Sequence, residues 1–285
     1  MKFSFLSSTW PEWSFAQMVS AAVRHGYEGV DLRTEWGHQH GLELESQAPA
    51  RQQARRRAAD AGVAIACIAT SVRLARVTAA ERQQEVDTVA RYAELAADLG
   101  VPALRVFGGT IPEGHTMAEL RPHTAEALGR AGQAAQPFGV IPCLELHDAH
   151  NNPADVAYIA NQAGSGGSGG SGAPIGVVWH AKHHLRLGIS VDDAYARLRG
   201  HVRHLHFEWN QPRPGGARAG TQAQPNVPGD EHIRAAMSLL IADGFDGYGA
   251  HEWIIKRHAE ADPDTWLATH AAQLRAWRLD LTESE

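Results

Sequence analysis

Residues 140–147 read Val-Ile-Pro-Cys-Leu-Glu-Leu-His, a short apolar run that ends in a carboxylate and an imidazole. Three later runs follow the same plan: 175–180 ends at His180, 202–208 at His206 and Glu208, and 248–253 at Glu252 and Trp253. Each run has the length of a β-strand and adjoins a helix-like segment. Successive strands of a βα series would bring these oxygen and nitrogen donors to one rim, which is how a barrel enzyme builds a metal site.

Outward from these runs, strand-like and helix-like segments alternate about eight times along the chain. The predicted strands are 3–6, 28–32, 63–69, 102–107, 140–146, 175–179, 202–208 and 246–252. Segments 79–99 and 116–136 show helical periodicity, and glycines such as Gly26, Gly100 and Gly139 mark helix ends. Eight such units with right-handed crossovers predict a single-domain (β/α)8 TIM barrel over residues 1–285. A doubly wound open sheet is the alternative, but no Gly-rich phosphate fingerprint follows the first strand.

Composition and charge limit the classes of protein to which this chain can belong. The chain has 285 residues, of which 44% are hydrophobic, and its formal net charge is -6, which gives little reason to expect a nucleic-acid partner. Cys67 and Cys143 lie inside apolar runs and are predicted to be reduced core residues. The sequence contains no apolar stretch long enough for a signal peptide or a membrane span, so we expect a cytoplasmic location.

Two segments interrupt the alternation. Residues 164–172 form a Gly/Ser linker ahead of the sixth predicted strand, where the bottom of a barrel tolerates an insertion, and we predict a flexible loop without a functional role. Residues 211–228 are rich in Pro and Gly and follow the seventh strand on the opposite rim, so we predict a substrate lid there.

Strand geometry sorts the polar residues by face. Residues i and i+2 of a strand share a face, so Glu145 and His147 point together, as do His204, His206 and Glu208. Charged groups that face a barrel interior are costly to bury unless they coordinate an ion or pair with each other. Buried ion pairs explain any one of these residues equally well, but a metal site better explains donors at four consecutive strand ends.

Several short motifs carry a family resemblance. They are Gly26-Tyr-Glu-Gly-Val-Asp-Leu-Arg33, Ala97-Asp-Leu-Gly-Val-Pro-Ala-Leu-Arg105-Val, Leu144-Glu145-Leu-His147-Asp, His204-Leu-His206, Pro228-Gly229-Asp230 and Gly244-Phe-Asp-Gly-Tyr248 through Glu252-Trp253. With them the chain resembles the xylose isomerase-like TIM barrel superfamily, which contains sugar phosphate isomerases and epimerases, ketose 3-epimerases and a branch of apurinic endonucleases. The resemblance spans nearly the whole chain.

The resemblance implies a ligand set for one divalent metal ion. The family pattern of Glu, Asp, His and Glu on strands five to eight falls on Glu145, His180, His206 and Glu252, so this chain departs from it at His180. Because imidazole suits transition ions better than Mg²⁺, we expect Mn²⁺, with Zn, Fe, Co, Ni or Mg as alternatives. The family's second His after the sixth strand corresponds to His183, a substrate-binding candidate.

A second departure concerns Glu208, where many relatives carry a Lys that binds a substrate oxygen or anion. A Glu pairs instead with an Arg, binds hydroxyls or acts as a base, which argues against a phosphorylated substrate. Further substrate-binding candidates are His147, Arg105 among the basic residues of the rim, and His38 and His40 in the loop after the second strand. An aromatic, polar loop of that kind suits ring stacking and hydroxyl binding.

The resemblance also implies a mechanism. In the family's epimerases the ion stabilises an enediolate while two ligating glutamates exchange the proton next to a carbonyl, and here these would be Glu145 and Glu252. The prediction is therefore a metal-dependent sugar isomerase or epimerase that acts on a small carbohydrate-like substrate. A lyase or dehydratase that performs β-elimination is the first alternative, and a non-enzymatic sugar-binding barrel or an endonuclease-like member is the second. A homo-oligomer is a family expectation only.

Overall fold

The computed structural model describes residues 1–165, 172–209, 230–252 and 262–283. Within them the strands are β1 Lys2–Leu6, β2 Gly29–Arg33, β3 Ala64–Arg73, β4 Ala103–Phe107, β5 Ile141–Glu145, β6 Gly176–His180, β7 Val202–Phe207 and β8 Tyr248–His251. The helices are α1 Phe15–His25, α2 Ala48–Asp60, α3 Ala79–Leu99, α4 Met117–Ala135, α5 Pro153–Gly164, α6 Val191–Leu198, α7 Glu231–Ala242 and α8 Pro263–Glu283. Strand and helix alternate throughout, as the sequence predicts.

The strands form one closed parallel barrel in chain order. Closure comes from β1 and β8, which pair in parallel with Phe3 opposite Gly249 and Phe5 opposite His251. The single-domain (β/α)8 prediction is confirmed, and the open-sheet alternative is excluded because the described sheet has no free edge. The carboxyl ends of all these strands meet at one end of the barrel, which we call the upper rim.

The third strand differs from its prediction. The sequence predicts an end at residue 69, but β3 continues to Arg73, which pairs with Phe107 of β4 after a shift in register. Ser71, Val72 and Arg73 include a β-branched residue and no Gly or Pro, so the chain remains extended past the register shift. The extra residues lengthen this side of the upper rim.

Local sequence explains where the longer helices begin and end. Ser14, Thr78 and Thr116 each form a capping box with the residue at N3, so the first backbone N–H groups of α1, α3 and α4 are satisfied. After α1 and α3 the chain turns at Gly26 and Gly100, both with a φ of 74°. A side chain at either position would be strained in this left-handed conformation, as the sequence predicts for helix-ending glycines.

Apolar side chains fill the layer between the barrel and its helices, while the barrel interior mixes small and polar groups. Cys67 and Cys143 pack in the interior with Ala103 and Val178, and both thiols are free and buried. The prediction of reduced core cysteines is confirmed. Burial raises the pKa of the Cys143 thiol to about 12, so it stays protonated and unreactive.

Two predicted loops lie outside the described residues: the lid at 211–228 entirely, and the Gly/Ser loop of 164–172 except at its ends. Among the helices that the structure describes, none has both the length and the apolar character needed to cross a bilayer.

Candidate functional site

Three donor residues converge at the upper rim. Glu145 is the last residue of β5, His206 lies one residue before the end of β7, and Glu252 directly follows β8. One ligand atom from each of these side chains lies within 4.8 Å of the others. His206 Nδ1 is 2.7 Å from Glu145 Oε1 and 3.9 Å from Glu252 Oε2. Strands that are far apart in sequence thus deliver two carboxylates and one imidazole to the same point, here called the three-donor cluster.

His180 borders this cluster. It ends β6 opposite His206 in register, its side chain is buried, and its Nε2 is 3.5 Å from Glu252 Oε2. Its ring nitrogens are not among the described donor atoms that lie mutually within 4.8 Å. The predicted role of His180 as fourth ligand therefore stays a prediction.

Arg105 holds Glu145 from the other side. This arginine of β4 is 2% exposed; its Nη1 donates to Glu145 Oε2 at 2.7 Å and its Nη2 donates to the Thr70 carbonyl. Burial alone would raise the pKa of Glu145, but the Arg105 guanidinium and the His206 imidazole hold it well below its usual value. Glu145 is therefore a carboxylate with one oxygen committed to Arg105 and the other directed at the cluster.

Glu252 has a different environment. Its side chain is 16% exposed, whereas that of Glu145 is 0% exposed. Burial raises its pKa, but a hydrogen bond from His180 and the nearby His206 outweigh this and bring the pKa to about 2. For His206, burial lowers the pKa, whereas the carboxylates of Glu145 and Asp31 raise it to about 9. The negative charges of the two carboxylates are thus balanced by neighbouring positive groups, and Glu252 is the carboxylate that is partly exposed.

A wall of imidazoles stands beside the cluster. The ring centroids of His180 and His183 are 3.9 Å apart, and those of His147 and His183 are 4.7 Å apart. Burial, together with these neighbouring imidazoles, lowers the pKa of His183, so that ring is neutral. His147 behaves oppositely, because Asp148 and Glu145 raise its pKa despite the effect of burial. His147 and His183, both predicted to bind substrate, therefore lie together at the rim.

Glu208 has an ion-pair partner that the sequence analysis did not foresee. Lys182 Nζ lies 2.9 Å from Glu208 Oε2, and both side chains are largely buried. The positive charge beside Glu208 is therefore supplied from the loop after β6. Glu208 and Lys182 form a compensated pair next to the three-donor cluster.

The two histidines of the loop after β2 differ in their contacts. His38 Nδ1 lies 2.7 Å from the Ser7 hydroxyl at the rim. His40 is buried; its Nδ1 accepts from the Leu42 backbone N–H and its Nε2 donates to the Arg33 carbonyl. Both ring nitrogens of His40 are thus engaged with the backbone, which stabilises the loop. The predicted substrate contacts of His38 and His40 stay predictions.

One polar residue below the rim was missed by the sequence analysis. Asp31 of β2 is completely buried, and its Oδ2 lies 2.7 Å from His204 Nε2 and 3.7 Å from His206 Nε2. The motif Gly29-Val-Asp-Leu-Arg33 contained the signal, because alternation places a carboxylate at an inward position of an otherwise apolar strand. The partners of that carboxylate lie across the barrel and cannot be read from local sequence.

The residues present fit a divalent ion. The three-donor cluster offers two ionised carboxylates and one imidazole, a donor set that suits Mn, Fe and Zn. Three protein ligands leave further coordination positions for a substrate, as in catalytic metal sites.

Comparison with known proteins agrees with this architecture. The family model of the xylose isomerase-like TIM barrel matches residues 19–277. The chain belongs to this family. No curated protein sequence matches the chain.

Several solved structures of related barrels superpose on this one. An L-ribulose 3-epimerase has a TM-score of 0.74 at 16% identity, with 99% of this chain and 96% of that chain covered. The IOLI protein with a bound zinc atom has a TM-score of 0.73 at 14% identity, with 100% and 99% covered. The probable 3-DHS dehydratase AsbF of petrobactin synthesis, from Bacillus anthracis, has a TM-score of 0.71 at 16% identity, with 96% and 99% covered. At such identities the likeness establishes the shared fold.

Proposed function

We propose that this protein is a divalent-metal-dependent isomerase or epimerase of a small sugar-like hydroxy-ketone, acting by proton abstraction next to the carbonyl through an enediolate. The observation that carries the proposal is the convergence of Glu145, His206 and Glu252 within 4.8 Å at the upper rim of the barrel. The L-ribulose 3-epimerase of the same fold supports the substrate class. We propose Glu145, His180, His206 and Glu252 as the ligands, and Mn²⁺ as the ion.

The chain's own residues would have separate roles in this reaction. A bound divalent ion supplies Lewis-acid stabilisation of the negative charge that develops on a carbonyl oxygen. Glu252, ionised and partly exposed, would take the proton from the adjacent carbon and later release it to solvent. Glu145 would return a proton to the opposite face after the oxygen that Arg105 leaves free has taken one up from water or a substrate hydroxyl. His147, His183 and Glu208 bind substrate hydroxyls at the rim, with Arg105, His38 and His40 as the further substrate-binding candidates.

A lyase or dehydratase is the second candidate, and the unequal glutamates favour it. Epimerisation through two bases needs both carboxylates to exchange a proton, but Glu145 is held by Arg105 and fully buried. Elimination of a β-hydroxyl group needs only one group, which takes the proton next to the carbonyl and returns it to the departing hydroxyl as water, and Glu252 would fill that role alone. The dehydratase among the similar structures supports this alternative.

The test is proton exchange, because both reactions begin with the same C–H cleavage. The purified protein, loaded with Mn²⁺ or Zn²⁺, is incubated in D₂O with L-ribulose, D-fructose and D-tagatose, and separately with a β-hydroxy keto acid. NMR spectra follow deuterium entering next to the carbonyl and the appearance of an epimer or an alkene. We expect exchange with the wild-type protein and a loss of at least about 100-fold in Glu252→Gln, the size of effect typical for removing a general base.

Glu126→Gln is the matched control. This glutamate is exposed on α4, and no candidate site residue lies on that helix. Exchange at wild-type rate in Glu252→Gln would contradict the proposal, as would a wild-type protein that binds no divalent ion. Formation of an alkene without any epimer would favour the lyase.

A further inference from the structure

A second polar cluster lies beneath the three-donor cluster, inside the barrel. Asp31 of β2, Cys67 of β3 and His204 of β7 are all at most 1% exposed, and one ligand atom from each lies within 4.8 Å of the others. Asp31 and Cys67 are register partners on adjacent strands, whereas His204 reaches them from the far side of the barrel. The residues of this lower cluster are not used by the proposed reaction.

A buried carboxylate at this position needs compensation. Asp31 is completely buried, and ionised carboxylates stay in protein interiors only when they are paired. His204 and His206, the imidazoles that face it, supply that pairing. One of its oxygens contacts His204 at 2.7 Å, and the other has no hydrogen-bond partner among the described residues. The oxygen that contacts His204, Oδ2, is also the one 3.7 Å from His206 Nε2, and it has a second lone pair with which to accept a hydrogen bond.

His206 connects the two clusters through opposite sides of its ring. Nδ1 faces Glu145 at 2.7 Å and Glu252 at 3.9 Å, while Nε2 faces Asp31 at 3.7 Å and has no hydrogen-bond partner among the described residues. A neutral imidazole that offers Nδ1 to an ion must carry its proton on Nε2. Asp31 Oδ2 is the carboxylate oxygen that faces that proton, and at 3.7 Å from Nε2 it lies just beyond hydrogen-bond distance.

We propose that Asp31 is a positioning residue that orients His206 for metal binding by accepting the Nε2 hydrogen of its ring. The inference rests on the proposed metal site at the three-donor cluster. His204, two residues before His206 on β7, holds the same Asp31 oxygen in place, so His204 and Asp31 together support one ligand of the ion from below. Partners of this kind fix the ring orientation of a ligating histidine and raise its basicity.

The lower cluster itself is a poorer site for an ion. It offers one carboxylate, whereas the three-donor cluster offers two. Burial and the negative charge of Asp31 raise the pKa of the Cys67 thiol well above its usual value, and the thiol is a far weaker ligand than the thiolate. A second ion here is the competing interpretation, and the test separates the two.

The test measures metal affinity and stoichiometry rather than activity. Zn²⁺ and Mn²⁺ are titrated into the wild-type protein, Asp31→Asn, Asp31→Leu and Cys67→Ala in competition with a chromophoric chelator, after circular dichroism has shown each variant to be folded. We expect one ion per chain and an affinity that falls about 10- to 100-fold in Asp31→Leu. Asp31→Asn should fall less, because its amide oxygen still accepts the Nε2 hydrogen. Cys67→Ala should bind like the wild type.

A spectroscopic readout covers the case in which the Asp31 variants do not fold. In ¹⁵N-histidine-labelled wild-type protein loaded with Zn²⁺, long-range ¹H–¹⁵N spectra should show His206 protonated at Nε2 and coordinated through Nδ1. Coordination through Nε2, or an unchanged affinity in folded Asp31→Leu, would overturn the role of Asp31 while leaving the metal site standing. Two ions per chain, with one lost in Cys67→Ala, would assign the lower cluster to an ion. A metal-free wild-type protein would overturn the proposed function and this inference together.

Discussion

At the scale of single residues, the contact between Arg105 and Glu145 dominates the energetics of the site. Both side chains are at most 2% exposed and lie 2.7 Å apart. Water therefore cannot take the place of either partner. Removing one partner of such a pair leaves an uncompensated charge in the protein interior. The same contact makes Glu145 and Glu252 unequal, although the sequence presents them as equivalent residues at strand ends.

We predict that Arg105→Met lowers the free energy of unfolding by about 3 to 5 kcal/mol, measured by urea denaturation without added metal. Divalent metal should restore part of this loss, because an ion at the three-donor cluster replaces the missing positive charge next to Glu145. The control is Arg91→Met, which removes an exposed arginine 4.0 Å from Glu45 and should cost no more than about 1 kcal/mol. Equal effects of the two substitutions would show that Glu145 does not depend on Arg105.

Only part of the candidate site can be predicted from the sequence, for physical reasons. The alternation of side chains in strands and the shared rim of a parallel barrel were sufficient to bring Glu145, His206 and Glu252 together. The partners of Asp31 and Glu208 were not predicted, because they depend on the radius of the barrel and on rotamers of residues that are distant in sequence. Local patterns determine which face a side chain occupies, but contacts across a barrel require its closed geometry.

At the scale of elements, α8 covers β8 with aromatic and imidazole rings. His251 of β8 stacks on Trp266, and His270 lies with its ring centroid 4.0 Å from that of Trp266. His270 is 2% exposed, and its Nδ1 is 2.7 Å from the Trp266 carbonyl. Burial lowers the pKa of His270 to about 4, so the folded protein holds this ring neutral well below its ordinary titration range.

We predict that this packing weakens in mild acid. The unfolded chain takes up a proton at His270 near the ordinary histidine pKa of 6.5, but the folded protein does so only near a pKa of about 4. Falling pH therefore favours the unfolded state between these values, by about 2 kcal/mol at pH 5 relative to pH 7.5. Urea denaturation at the two pH values measures the loss, and His270→Gln, which keeps a neutral donor, should reduce it by that amount. An identical pH dependence in the variant would exclude His270 as a source.

At the scale of the whole molecule, the site is assembled from strands that span most of the chain. An ion that binds the folded protein but not the unfolded chain stabilises the fold increasingly as its concentration rises. We predict that Mn²⁺ or Zn²⁺ at 100 times its dissociation constant raises the free energy of unfolding by about 2.7 kcal/mol. His206→Ala should lose this gain and Glu126→Gln should keep it. A gain that persists in His206→Ala would place the ion elsewhere.

The pairing of β1 with β8 also has a consequence for biosynthesis. It joins residues 2–5 to residues 248–251, so the barrel stays open until β8 has left the ribosome. Glu252 emerges with the same strand, and barrel closure and completion of the three-donor cluster are therefore one event. A chain stalled before β8 lacks both the closing strand and the last carboxylate. An ion at the three-donor cluster would therefore bind only chains in which β8 has already paired with β1.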